Sequence, residues 1–234
     1  MANHSINRES MNTVEDWVIL LKLRESEFNG LEYSTLQEKY VLILATRISE
    51  LCLDTVLLLN QNRISSAPII LRTALESYAD LSSCITDPTY WEQLTKSLYW
   101  QLHEVSKGVN TERAEHYKSI GKYLSVNKRF SKAGLSGLFN GYYKALSLHS
   151  HGNLSSLIEF HSNDSNAYLG TISDDDKTIE YFEQATNLLA LCLRDTWEFF
   201  EISQQGIQEA QRIIDKINKT HNKSIHSTSD ASAD

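Results

Sequence analysis

The sequence predicts an all-α fold, and three observations carry that expectation. Nine glycines and two prolines are few breakers for 234 residues, too few for a many-turned β fold. Helix start signals recur along the chain, as Ser/Thr followed three positions later by Gln/Glu or as proline in a first turn. The apolar residues between those signals recur at helical rather than alternating spacing. The expected architecture is a single-domain bundle of about seven helices with long central and C-terminal helices, spanning residues 13–220. Residues 1–12 and 221–234 offer little apolar content to bury and are expected to be disordered.

The elements follow in order. Thr13 caps a first helix that Trp17, Val18, Leu20, Leu21 and Leu23 make amphipathic, and Asn29 and Gly30 end it. Ser34 with Gln37 reads as a capping box for a second helix to about Asn60, apolar on most faces and therefore central. Asp54 within it belongs on a solvated strip or beside a buried cation, and the strip is the favoured reading. Pro68 opens a third helix that Asp87 and Pro88 stop. Thr89 with Glu92 reads as the capping box of a fourth helix, and a fifth covers about Thr111 to Leu124. Ser125 to Ser136 reads as a basic loop, and 153–177 as a polar excursion, a lid or an interface loop. One long helix is expected from Asp176 to about Lys219.

Several function classes are excluded or weakened. The longest apolar run, VLILATRISELCLDTVLLL, is interrupted by Arg47, Glu50 and Asp54, so no membrane span is expected. MANHSINRES has neither the apolar core nor the cleavage site of a signal peptide, and a cytoplasmic location is expected. Cys52, Cys84 and Cys192 lie far apart inside apolar patterns and read as buried structural thiols. No cofactor is implied: there is no Gly-rich phosphate loop, and the H-x-H of His149 and His151 points its rings to different sides of a helix, so no metal site is expected.

Charge and spacing direct attention to one region. The net charge is −8, yet Tyr117 to Ser150 holds Lys118, Lys122, Lys128, Arg129, Lys132 and Lys144 with no Asp or Glu, a local +6. Tyr117, Tyr123, Phe130, Phe139, Tyr142 and Tyr143 are interleaved with these cations, a composition that suits RNA or another phosphate-bearing ligand. The plainer reading is a connector and helix face paired with acidic neighbours. Lys144, Lys128, Arg129 and Lys132 are the candidate substrate-binding cations. In NGYYKALSLHSHGNL, Tyr143, Ser147 and His151 recur at steps of four and share a helix face. On the third helix Arg72 and Glu76 have the same spacing and can pair directly. Such a pair is either an ion pair fixing helix register or an arginine held so that its fork faces a ligand anion.

The R-x-x-x-E of Arg72 to Glu76, followed by the Y-x-x-x-S-x-x-x-H-G of Tyr143 to Gly152, resembles a bacterial all-helical family of unknown function. More distantly the architecture is similar to the HEPN superfamily. That resemblance implies a helical bundle, commonly a homo-oligomer, and RNase activity in toxin–antitoxin or antiphage systems, with an antitoxin or defence subunit as a protein partner. HEPN ribonucleases carry an Arg and a His on one helix with four to six residues between them; no Arg here has a His at that distance. An equivalent site would be composite, with His151 as general acid or base, Arg72 stabilising phosphate charge, Glu76 orienting Arg72, and Ser147 and Tyr143 positioning substrate. The expected function is metal-independent RNA cleavage; the alternative is a non-catalytic helical module that holds a small anionic ligand or a protein partner.

Overall fold

A computed structural model of the chain describes residues 8–28, 30–150, 154–162, 166–167 and 174–230. Helices account for most of them: α1 (Arg8–Phe28), α2 (Leu36–Asn60), α3 (Ala67–Thr86), α4 (Trp91–Ser106), α5 (Thr111–Ser119), α6 (Val126–Lys132), α7 (Ser136–Leu138), α8 (Lys144–Ser150), α9 (Leu154–His161), α10 (Asp175–Phe199) and α11 (Gln204–Asp230). A 3-10 turn, Ile64–Ser66, leads into α3, and a π-helical turn, Phe139–Tyr143, joins α7 to α8. Among the described residues the one β feature is an isolated antiparallel bridge between Ser162 and Ala167. The all-α fold is therefore as expected, and no helix among the described residues is long and apolar enough to cross a membrane.

The bundle is built on α2, α3 and α10, which pack on one another, with α11 lying along α10 and α1 bridging the two. Their contact is a continuous core that includes Ile48, Leu71, Leu81, Leu189, Leu193 and Trp197, all 2% exposed or less. Burying an aliphatic side chain of this size contributes about 1.5–3 kcal/mol. Asp54 is exposed, on the solvated strip that was favoured for it. Two cations of α11, Arg212 and Lys216, meet the buried Asp16 of α1 at 2.8 and 2.5 Å and tie these two helices together.

Several helix ends differ from the sequence reading. Thr35, not Ser34, caps α2, and the box closes on Glu38. Gln37 is released from capping and donates to the Cys84 and Ile85 carbonyls at the end of α3, at 2.7 and 3.2 Å. At α4 no capping box forms; Asp87 Oδ1 instead accepts from the Thr89 amide and hydroxyl, 2.9 and 2.7 Å. The basic stretch after Ser125 is not a loop but contains α6, and the expected long C-terminal helix is two helices. Glu201 enters the left-handed region at φ 55° while the Ile202 amide donates to Trp197 O at 3.0 Å. This is a Schellman closure in which glutamate occupies the position where glycine is usual, so composition gave no stop signal. The last helix extends past Lys219 to Asp230, and the first begins at Arg8 rather than near Val14.

The three cysteines are free and buried, as the sequence suggested. Burial pushes the Cys84 thiol up to about 12, with Asp80 and Asp87 adding to the effect. Burial likewise raises Cys52 and Cys192 far above the ordinary thiol range. A thiol-specific chromogenic reagent is expected to find no reactive sulfur in the native chain at pH 8 and all three in denaturant. Rapid labelling of the native protein would contradict this packing.

Candidate functional site

The site is assembled by α3 from one side and the segment Ser136–Ser150 from the other. Segment Phe139–Tyr143 (FNGYY) carries one residue more than an α-turn would hold, which sets the register of α8. As a result Tyr143 and Ser147 both face α3. Arg72 donates from Nε to Ser147 Oγ at 3.1 Å and from Nη2 to Tyr143 Oη at 2.6 Å. The same Nη2 lies 3.2 Å from Glu76 Oε1, the expected pair of residues four apart. Tyr143 Oη donates to Glu76 Oε1 at 2.9 Å, closing a three-membered ring of Arg72, Tyr143 and Glu76. Burial, then Glu76, raises the Tyr143 pKa, so its phenol stays a donor. The Arg72 guanidinium also lies over the Tyr143 ring, 4.9 Å from its centroid.

The network continues down α3. Arg129 of α6 reaches Glu76 Oε2 from Nη1 at 3.3 Å and the Glu76 carbonyl from Nη2 at 3.1 Å. It also holds Asp80 in a two-pronged grip, Nε to Oδ1 at 2.8 Å and Nη2 to Oδ2. Tyr90 Oη donates to Asp80 Oδ1 at 2.8 Å. Burial opposes the charge on Arg129, but its bonds to Asp80 and the charge of Glu76 prevail, and the guanidinium is held more basic than an ordinary arginine. Asp80 is 7% exposed, so without Arg129 its carboxylate would be stranded.

Four of the anticipated site residues, Arg72, Glu76, Tyr143 and Ser147, are thus brought into direct contact. His151 lies outside the described residues. The four candidate cations are not gathered around Arg72. Arg129 is 17% exposed and locked onto two carboxylates. Lys132 pairs with Asp87 at 2.8 Å, at the far end of α3, and holds that carboxyl down at about 2 together with Thr89. Lys144 Nζ donates to Asn140 Oδ1 at 2.9 Å, and Lys128 is exposed on α6. For Arg129 and Lys132 the plainer reading of the basic segment, pairing with acidic neighbours, is what the structure displays. Two of the interleaved aromatics, Phe130 and Tyr143, are buried, and they pack with Phe139 at centroid distances of 5.2–5.5 Å, whereas Tyr142 is exposed.

Asp80 and Tyr90 were missed by the sequence reading. A signal for Asp80 existed, since Arg72, Glu76 and Asp80 recur at steps of four along one face of α3. Tyr90 had none, because only the turn at Asp87 swings it back onto α3.

Chemically, Arg72 is an oriented cation. Its side chain is 23% exposed, and its Nη1 makes no bond to a described residue. The N–H groups of Nη1 are left to receive an oxygen of an anion. Among the described residues no group of three or more His, Cys, Asp or Glu side chains could hold a metal ion.

No curated protein and no solved structure matches the chain. A family of unknown function does match, over residues 38–123 and 101–168, more than half of the chain and a span that contains α3, α6 and α8. The chain belongs to that family of unknown function, DUF5677.

Proposed function

We propose that the protein is an HEPN-like, RNA-acting protein that acts on phosphodiesters without a metal ion, in the cytoplasm, as a toxin or antiphage defence component. The observation that carries this reading is the convergence of Tyr143 and Ser147 on Arg72. In sequence His151 follows Ser147 at the same step of four, which makes it the natural acid or base to work with Arg72. In this scheme Arg72 receives a phosphoryl oxygen at its open edge, Glu76 and Tyr143 fix the guanidinium plane, and His151 moves the proton of the attacking hydroxyl. A homo-oligomer and a silencing or activating protein partner belong to the same reading.

A second reading has its own support: Arg129 and Lys132 are paired with carboxylates, which suits a non-catalytic module holding a small anion at Arg72. The test is expression of the chain with RNA integrity as readout, beside His151→Ala and Arg72→Ala, with and without phage infection. RNA loss in the parent that both substitutions abolish is the expected result. Intact RNA in every condition would overturn the nuclease and leave the anion-binding module.

A further inference from the structure

The other flank of the Ser136–Ser150 segment borders a second site. Tyr142, Ala145, Leu146 and His149 form one wall of a cleft of about 400 Å³, and Lys177, Glu180, Tyr181 and Gln184 of α10 form the facing wall. Through Tyr142, Leu146 and Gln184 the cleft adjoins a narrow apolar pocket of about 40 Å³, where Leu71, Leu75 and Leu188 are joined by Asn187. None of these residues belongs to the Arg72 network.

Three buried polar atoms here have no hydrogen-bond partner among the described residues: His149 Nδ1, Gln184 Oε1 and Asn187 Oδ1. The Gln184 amide orientation is fixed, because its Nε2 donates to Glu180 Oε1 at 2.9 Å, so the unmet atom is the carbonyl oxygen. Burial, then the charge of Lys177, lowers the His149 pKa, which keeps the imidazole neutral at pH 7 and able to accept at one ring nitrogen. Each unmet buried acceptor is a cost that native structures rarely carry in clusters. The charges around the cleft are few. Lys177 is paired with Glu159, which leaves Glu180 as an acidic group on the wall.

Unmet acceptors, the Glu180 carboxylate and an adjoining leucine-lined pocket select against anions and for donors. We infer that this cleft binds a small amidine, guanidine or primary amine with an apolar body, whose N–H groups meet Gln184 Oε1 and Asn187 Oδ1 while its hydrocarbon lies against the leucines. Gln184 and Asn187 are three residues apart on α10 and therefore adjacent on its surface, a spacing that a forked donor can span. The site is of opposite preference to Arg72, which takes anions, and stands whether or not the protein cleaves RNA.

The probes are benzamidine and phenethylamine, with benzoate and phenylacetate as carboxylate counterparts of similar body, titrated into the full chain by thermal shift and calorimetry. Benzamidine is expected to raise Tm by several degrees in a saturable manner, and the carboxylates are expected not to. Asn187→Leu removes one unmet acceptor at similar volume; it is expected to raise the Tm of the free protein by about 2–4 °C and to weaken benzamidine at least about tenfold. Arg72→Ala is expected to bind benzamidine as the parent does. Should Asn187→Leu not fold, the amide resonances of Gly141 and Ala145 in the parent chain report the same event by shifting with benzamidine. No response to either amine, an equal response to the carboxylates, or full benzamidine affinity in Asn187→Leu would overturn the inference.

Discussion

Arg129→Ala is expected to destabilise the protein by about 3–5 kcal/mol, the usual consequence of stranding a buried carboxylate. The substitution removes both bonds that Asp80 receives from Arg129, the contact to Glu76 Oε2 and the donor to the Glu76 carbonyl. Asp80, 7% exposed, would keep the Tyr90 hydroxyl as its partner in this network. Glu76 would fare better, since Arg72 and Tyr143 remain on its other oxygen. The damage should therefore centre on Asp80. Combining Arg129→Met with Asp80→Asn removes both charges while leaving Tyr90 an acceptor, and should recover at least half of the loss in a urea denaturation series. If Arg129→Ala proves as stable as the parent, the buried grip between α6 and α3 is wrong.

Arg72→Lys is the second large effect, and it should separate function from stability. Lysine preserves the charge beside Glu76 but has no planar fork, so it cannot serve Ser147 Oγ, Tyr143 Oη and an incoming anion together. Because the side chain is 23% exposed and Glu76 keeps a cation, the folding cost should be within about 1 kcal/mol. On the proposed RNase reading, RNA degradation should nevertheless fall by about 10²-fold or more, because the oriented guanidinium would stabilise developing phosphate charge. Retained degradation with lysine would mean that a point charge suffices and that the Tyr143 and Ser147 bonds are only structural.

The contrast between these two arginines shows what the sequence could convey. Arg72, Glu76, Tyr143 and Ser147 were legible because helix periodicity alone places residues four apart on one face, and an arginine among leucines demands partners. Arg129 was misjudged as a ligand-facing cation because its partners lie about fifty residues away, and nothing in SVNKRFSKAGLS says which of its cations turns inward. The same limit applied to helix ends. Thr35 and Ser34 are equally good caps by composition, and the choice falls to Thr35 because Glu38 then closes the box while Gln37 is free to hold the end of α3. Glu201 in a left-handed conformation is set by the packing of α11 on α10, where a Cβ on Gly206 would come within 3.0 Å of the Trp197 ring. The fold class, by contrast, rests on sums over the whole chain, which local exceptions of this kind do not disturb.

The wide turn at Phe139–Tyr143 has a consequence for how this protein can vary. Because the turn absorbs one residue beyond an α-turn, losing one residue among 139–142 would let it close as an ordinary α-turn with α8 still in phase against α7. Tyr143 and Ser147 would then keep their aim at Arg72, with only the wide turn lost. Within FNGYY the intolerant position is therefore Tyr143, whose hydroxyl is bonded to Arg72 and Glu76 and whose ring packs on Phe130 and Phe139, whereas the length of the turn is free to shorten by one.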